Sequence, residues 1–139
     1  MSTAEKYAGS CLCGAVRYEI RGKIGGIMQC HCSKCRKANG TAYAANAPVA
    51  RADFTFIAGE DALKKFASSA GTQRCFCGHC GSPVISIKAE TPDFYRLRIG
   101  TLDTPLAQRP VCHIFTASKA EWEQIADDLP QYAERPESL

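Results

Sequence analysis

Three tight groups of cysteine constrain this chain more than any other feature. Cys11-Leu12-Cys13-Gly14 is a CxCG, Cys30-His31-Cys32-Ser33-Lys34-Cys35 is a CxCxxC, and Cys77-Gly78-His79-Cys80-Gly81 is a CxxCG. Together they hold seven of the nine cysteines. Such spacings put thiolates on one tight turn, at the reach a tetrahedral metal needs. Four thiolates make a closed, structural site, whereas three leave one position for water or substrate, as in catalytic zinc sites. The spacing therefore predicts two zinc ions per chain, one that holds the fold and one open to chemistry.

Two other readings compete. Disulfides are the plainer one, but nine is an odd number and the start MSTAEKYAGS has no basic segment followed by an apolar one. Clustered cysteines in a reducing compartment are more often metal ligands than bridges. The expectation is a cytoplasmic, metallated protein. The second reading is thiol redox chemistry at Cys77-Gly78-His79-Cys80. That chemistry needs a helix starting at its first cysteine, and Gly81, Ser82 and Pro83 disfavour one.

The 139 residues are expected to form one domain, spanning 1–139 with its core at about 7–133. No apolar run approaches the length of a membrane span. The formal charge of +3 is cancelled once seven thiolates and two divalent ions are counted. The basic balance is then no argument for a nucleic-acid partner, and none is expected. Oligomeric state is not readable. The tail Glu134-Arg135-Pro136-Glu137-Ser138-Leu139 is polar and expected to fray.

The remaining pattern is mostly short strands. Residues 15–20, 53–57, 63–66, 72–76, 84–87 and 94–100 carry strand-like runs, several with apolar and polar side chains in alternation. Ser33 to Ala38 suits a short helical turn stopped by Asn39-Gly40. Ser118-Lys119-Ala120-Glu121 reads as a capping box, with Trp122, Ile125 and Ala126 at helical spacing behind it. This predicts a short C-terminal helix ending before Pro130, with Trp122 as a packing anchor. The fold class expected is mainly β, in antiparallel sheets.

The first and third clusters both end in cysteine followed by glycine, which tolerates a left-handed turn. Pairing them gives Cys11, Cys13, Cys77 and Cys80 as the structural set. Cys30, Cys32 and Cys35 remain as the open site. Arg36 and Lys37 follow that site and suit an anionic substrate, or are ordinary solvated charges. His31 is either a local hydrogen-bonding residue, or a fourth ligand or proton shuttle. Cys75 is held as a spare thiol near the structural site, its side chain on the same side as that of Cys77. Cys112 stands beside His113 with no partner cluster and reads as a buried cysteine.

Gly9-Ser10-Cys11-Leu12-Cys13-Gly14-Ala15-Val16 resembles the opening of the glutathione-dependent formaldehyde-activating enzyme family, which includes the centromere protein V domain. The run from Cys30 to Lys37 is similar to its second motif, and Arg74 with Phe76 to Pro83 to its third. His113-Ile114-Phe115, Ser118-Lys119, Trp122 and Asp128-Leu129-Pro130 resemble its C-terminal signature. The resemblance implies a β-tent fold around zinc and the same division of ligands. It also implies a carbon–sulfur lyase activity that forms or cleaves S-hydroxymethylglutathione from formaldehyde and glutathione. Two functional classes stay open: a zinc enzyme acting on a thiol adduct, with glutathione or its adduct as partner, or a zinc-stabilised binding module. A fourth protein ligand at Cys30, Cys32 and Cys35 would favour the module.

Overall fold

The computed structural model describes residues 5–136. The fraying expected of Glu137, Ser138 and Leu139 lies outside the described residues. Backbone amides of Phe115 and Ala117 donate to the carbonyls of Glu134 and Ala133, so the chain just before them is tied down. The chain is mainly β and folds into two compact units. The first comprises the described part of 1–25 together with 47–107, and the second 26–46 with the described part of 108–139. No helix among the described residues is long and apolar enough to cross a membrane.

In the first unit, β1 (Lys6–Ser10), β2 (Arg17–Arg21) and β5 (Phe54–Ala58) form an antiparallel sheet in the order β1-β2-β5. Along β2, Tyr18 and Ile20 are buried while Arg17 and Arg21 are exposed, the alternation a one-faced strand requires. The Tyr18 and Phe54 rings stack at 4.8 Å. A meander follows: β6 (Leu63–Ser69), β7 (Thr72–Cys77), β8 (Pro83–Lys88) and β9 (Phe94–Arg98), each antiparallel to the next. Its inward positions include Cys75, Cys77, Ile85 and Leu97, all nearly inaccessible.

The second unit is built on β3 (Met28–Cys30), which lies between two neighbours. On one side the first residues of β4 (Ala44–Ala50) run antiparallel; on the other β10 (Cys112–Ile114) runs parallel. A helix, α1 (Ser33–Asn39), packs Cys35 into a small core with Met28, Cys30, Ala44, Cys112 and Ile114. Gly40 ends it in the left-handed conformation, as the Asn39-Gly40 pair predicts. β4 passes from the second unit into the first.

The C-terminal helix is absent, and α1 is the only α-helix among the described residues. Residues 116–118 make one 3-10 turn, and 119–130 wind around side chains instead of a helix axis. The Lys119 ammonium donates to the carbonyls of Glu123 (2.6 Å) and Ala120 (3.4 Å). Beyond it, Pro130 and Tyr132 hydrogen-bond to the backbone of His113. These bonds, local at Lys119 and tertiary at His113, outweigh a capping preference, which contributes only about 1 kcal/mol. Trp122 is 71% exposed, so it anchors nothing; Ala120 is the buried residue of the segment. The strands β1, β3, β4 and β10 are not among the runs read as strands in the sequence. β3 and β10 are three residues each and buried throughout, so neither shows alternation.

Candidate metal centres

Both cysteine sets form, each within one unit. The sulfurs of Cys11, Cys13, Cys77 and Cys80 lie within 4.8 Å of one another, as do those of Cys30, Cys32 and Cys35. A tetrahedral zinc with Zn–S near 2.3 Å spaces its sulfurs about 3.8 Å apart. The Cys11–Cys13 and Cys13–Cys77 separations are 3.6 and 3.8 Å. Cys30 and Cys35 are 3.4 Å apart. Both sets therefore fit a thiolate-bound metal ion and can hold one. All nine cysteines are free thiols, so no disulfide competes.

The four-cysteine set is made by two tight turns that share one construction. Gly14 and Gly81 both take positive φ, 80° and 81°, and their amides donate back to the carbonyls of Cys11 and Cys77. With the chain so reversed, the Val16 amide reaches the sulfur of Cys11 at 3.2 Å and the His79 amide that of Cys77 at 3.4 Å. Ser82 bridges the turns: its hydroxyl accepts from the Leu12 amide (2.9 Å) and lies 3.3 Å from the sulfur of Cys80. Without metal, charge would gather unevenly. The Ser82 hydroxyl and amide hold the Cys80 thiol down to about 5. The Ala15 amide favours the Cys13 thiolate, but desolvation and the neighbouring sulfurs push that thiol up to about 11. Deprotonated sulfurs crowded this closely call for a cation among them.

The three-cysteine set follows from strand, cap and helix in succession. Cys30 ends β3. Cys32 is the N-cap of α1, its sulfur accepting the Cys35 amide at 3.3 Å, and Cys35 sits one turn in on the buried face. The cap thus folds the third sulfur back onto the first. Cys32 and Cys35 beside it, together with burial, hold the Cys30 thiol far above its usual range. A cysteine as N-cap carries no strong sequence signal, and the sequence reading did not identify it.

The other predicted residues divide. His31 is fully buried and does not join the three sulfurs, so the structure does not gather it as a fourth ligand. Its Nε2 lies 2.9 Å from Nδ1 of His113, a partner 82 positions away and so not the local hydrogen bond that the sequence suggests. Cys75 is buried on β7 and belongs to neither set, with burial raising its thiol. Cys112 is buried, and burial raises its thiol too. Arg36 and Lys37 lie in the last turn of α1, the first half-buried and the second exposed. The Cys77-Cys80 turn runs into β8 and no helix starts there, which removes the redox reading. His113 and Asp127 escaped the sequence reading as site residues; they stand 14 positions apart and only the fold joins them.

A family model described as glutathione-dependent formaldehyde-activating enzyme matches residues 6–118 of the chain. That span contains all seven clustered cysteines. Among solved structures, the chain is similar to a protein of Rhodobacter sphaeroides. The TM-score is 0.61 at 23% identity, over 72% of this chain and 91% of the other. That likeness extends the agreement in fold.

Proposed function

The chain belongs to the glutathione-dependent formaldehyde-activating enzyme family, and from that premise we propose that it is a zinc-dependent carbon–sulfur lyase acting on S-hydroxymethylglutathione or a related thiol adduct. The carrying observation is the inequality of the two cysteine sets: four sulfurs in one, three in the other, with the nearest histidine turned elsewhere. Four thiolates complete a tetrahedron, and three leave a position for a substrate atom. Cys11, Cys13, Cys77 and Cys80 are then the structural ligands, and Cys30, Cys32 and Cys35 the catalytic ones. Zinc bound there supplies a Lewis-acidic position that favours a thiolate or polarises a carbonyl oxygen.

The reaction balances simply. In the forming direction a carbon–sulfur bond is made between the thiol and the aldehyde carbon, and the thiol proton ends on the former carbonyl oxygen. Cleavage reverses both changes. The chain's own contribution is to present three sulfurs from one rigid strand–cap–helix turn and to hold the substrate. Arg36 and Lys37 follow Cys35 on α1, and in this reading they meet a carboxylate of a glutathione-like substrate with charge-assisted hydrogen bonds.

Calorimetric titration of the zinc-loaded protein with glutathione and with S-hydroxymethylglutathione tests this reading. Binding that weakens in Arg36→Ala/Lys37→Ala, with the melting temperature unchanged, supports it. If neither compound binds at millimolar concentration, the glutathione reading falls.

A further inference from the structure

A chain of three side chains backs the three-cysteine turn. His31, between two of the cysteines, is wholly buried, and its amide donates to the Ile114 carbonyl at 2.9 Å. Its Nε2 is 2.9 Å from Nδ1 of His113, itself 2% exposed. The other nitrogen of His113, Nε2, lies 2.9 and 3.1 Å from the two carboxylate oxygens of Asp127. Asp127 is in turn held by the Leu129 amide, which donates to its Oδ1 at 3.0 Å. Tyr43 packs its ring against His31 at 5.1 Å.

Proton placement along this chain follows from donor and acceptor capacity. An ionised carboxylate only accepts, so Nε2 of His113 carries a hydrogen. In a neutral imidazole the other nitrogen is then an acceptor, so Nδ1 of His113 receives the hydrogen on Nε2 of His31. His31 is left with a bare Nδ1, which is buried and has no partner among the described residues. One surface carboxylate thereby sets the tautomer of two interior rings.

We propose that Asp127 and His113 are positioning residues for the three-cysteine site: the Asp127–His113–His31 chain locks His31 as its Nε2–H tautomer and thereby fixes the backbone turn that carries Cys30 and Cys32. This rests on the reading of Cys30, Cys32 and Cys35 as metal ligands. Geometry supports it from both ends. The His113 backbone is bonded to Pro130 and Tyr132, so the ring has a rigid mount. No ring nitrogen of His31 joins the three sulfurs, so its bonds restrain the turn without taking a coordination position. Groups that orient ligands in this way typically change metal affinity 10- to 100-fold when removed.

Ring-nitrogen NMR on the zinc-loaded protein at a single pH above 8, with competitive zinc titration of the wild type and Asp127→Ala, tests the proposal. The wild type is expected to bind two zinc ions and to show both histidines protonated at Nε2. In Asp127→Ala the single His31 tautomer is expected to be lost and affinity at the weaker site to fall about tenfold, with the stronger site unchanged. Asp127→Glu restores a carboxylate and is expected to recover both properties. A wild type with two zinc ions but His31 protonated at Nδ1 overturns the proposal alone. So does Asp127→Ala with wild-type zinc affinity. A wild type that takes up no second zinc overturns the metal reading, and the proposal with it. Should Asp127→Ala fail to fold, the wild-type tautomers and Asp127→Glu still decide.

Discussion

Ser82 shows how much one small side chain contributes to the four-cysteine set. It holds the Leu12 amide and the sulfur of Cys80, one from each turn. Its hydroxyl and amide bring the Cys80 thiol down to about 5. Zinc competes with protons for thiolates, so a depressed thiol keeps the metal to lower pH. In Ser82→Ala that thiol rises and protons compete better. Zinc release from the stronger site, followed with a chromogenic chelator as pH is lowered, should begin at a higher pH than in the wild type. The ligands themselves should separate by role. Cys13→Ser removes a ligand from the set that joins β1–β2 to the meander, and should lower the melting temperature sharply, because structural zinc binding is largely folding free energy. Cys35→Ser should leave a folded protein with one zinc fewer. Melting curves in the reverse order would exchange the two assignments. At this scale the sulfurs were legible, because their spacings carry the chemistry. Ser82, His113 and Asp127 were not, since each acts on residues distant in sequence.

At the scale of elements, backbone conformation decides where the turns fall. Gly81 has a φ of +81°, but a Cβ there would meet nothing within 4 Å. Gly81→Ala should therefore cost only the left-handed strain, about 1 kcal/mol. Gly59, between β5 and β6, has a φ of +77°, and a Cβ there would overlap the Ala15 carbonyl. Gly59→Ala adds a steric clash to the strain and should cost clearly more in a denaturant titration; equal losses would contradict this geometry. The segment expected to be helical offers a contrasting test. Trp122→Ala should shift stability by no more than about 0.5 kcal/mol, as exposed substitutions do. A helix anchored by that indole would lose several times more. The strands β2, β5, β7 and β8 were legible from alternation and turn residues. The C-terminal segment was misread because the His113 backbone offers Pro130 and Tyr132 partners that a local pattern does not contain.

For the whole molecule, the two units carry one cysteine set each, so the metals should report on them separately. Carefully purified protein should contain two zinc ions per chain. A mild chelator should remove them in two phases, the three-cysteine site first, because it has one chelating arm fewer. A single phase, or one ion per chain at saturation, would contradict the two-site scheme. The sequence by itself determined the mainly β class, the three cysteine groups and their division into four and three, and the family. These rest on local matters: side-chain alternation, glycine after cysteine, and ligand spacing within a few residues. Tertiary structure alone decided which side chains the sulfurs meet. It set Ser82 between two turns, and it turned His31 from the metal ligands toward His113 and Asp127. It also tied the end of the segment expected to be helical to the His113 backbone through Pro130 and Tyr132. Each of these depends on hydrogen bonds between residues far apart in the chain, whose geometry exists only once the backbone has folded.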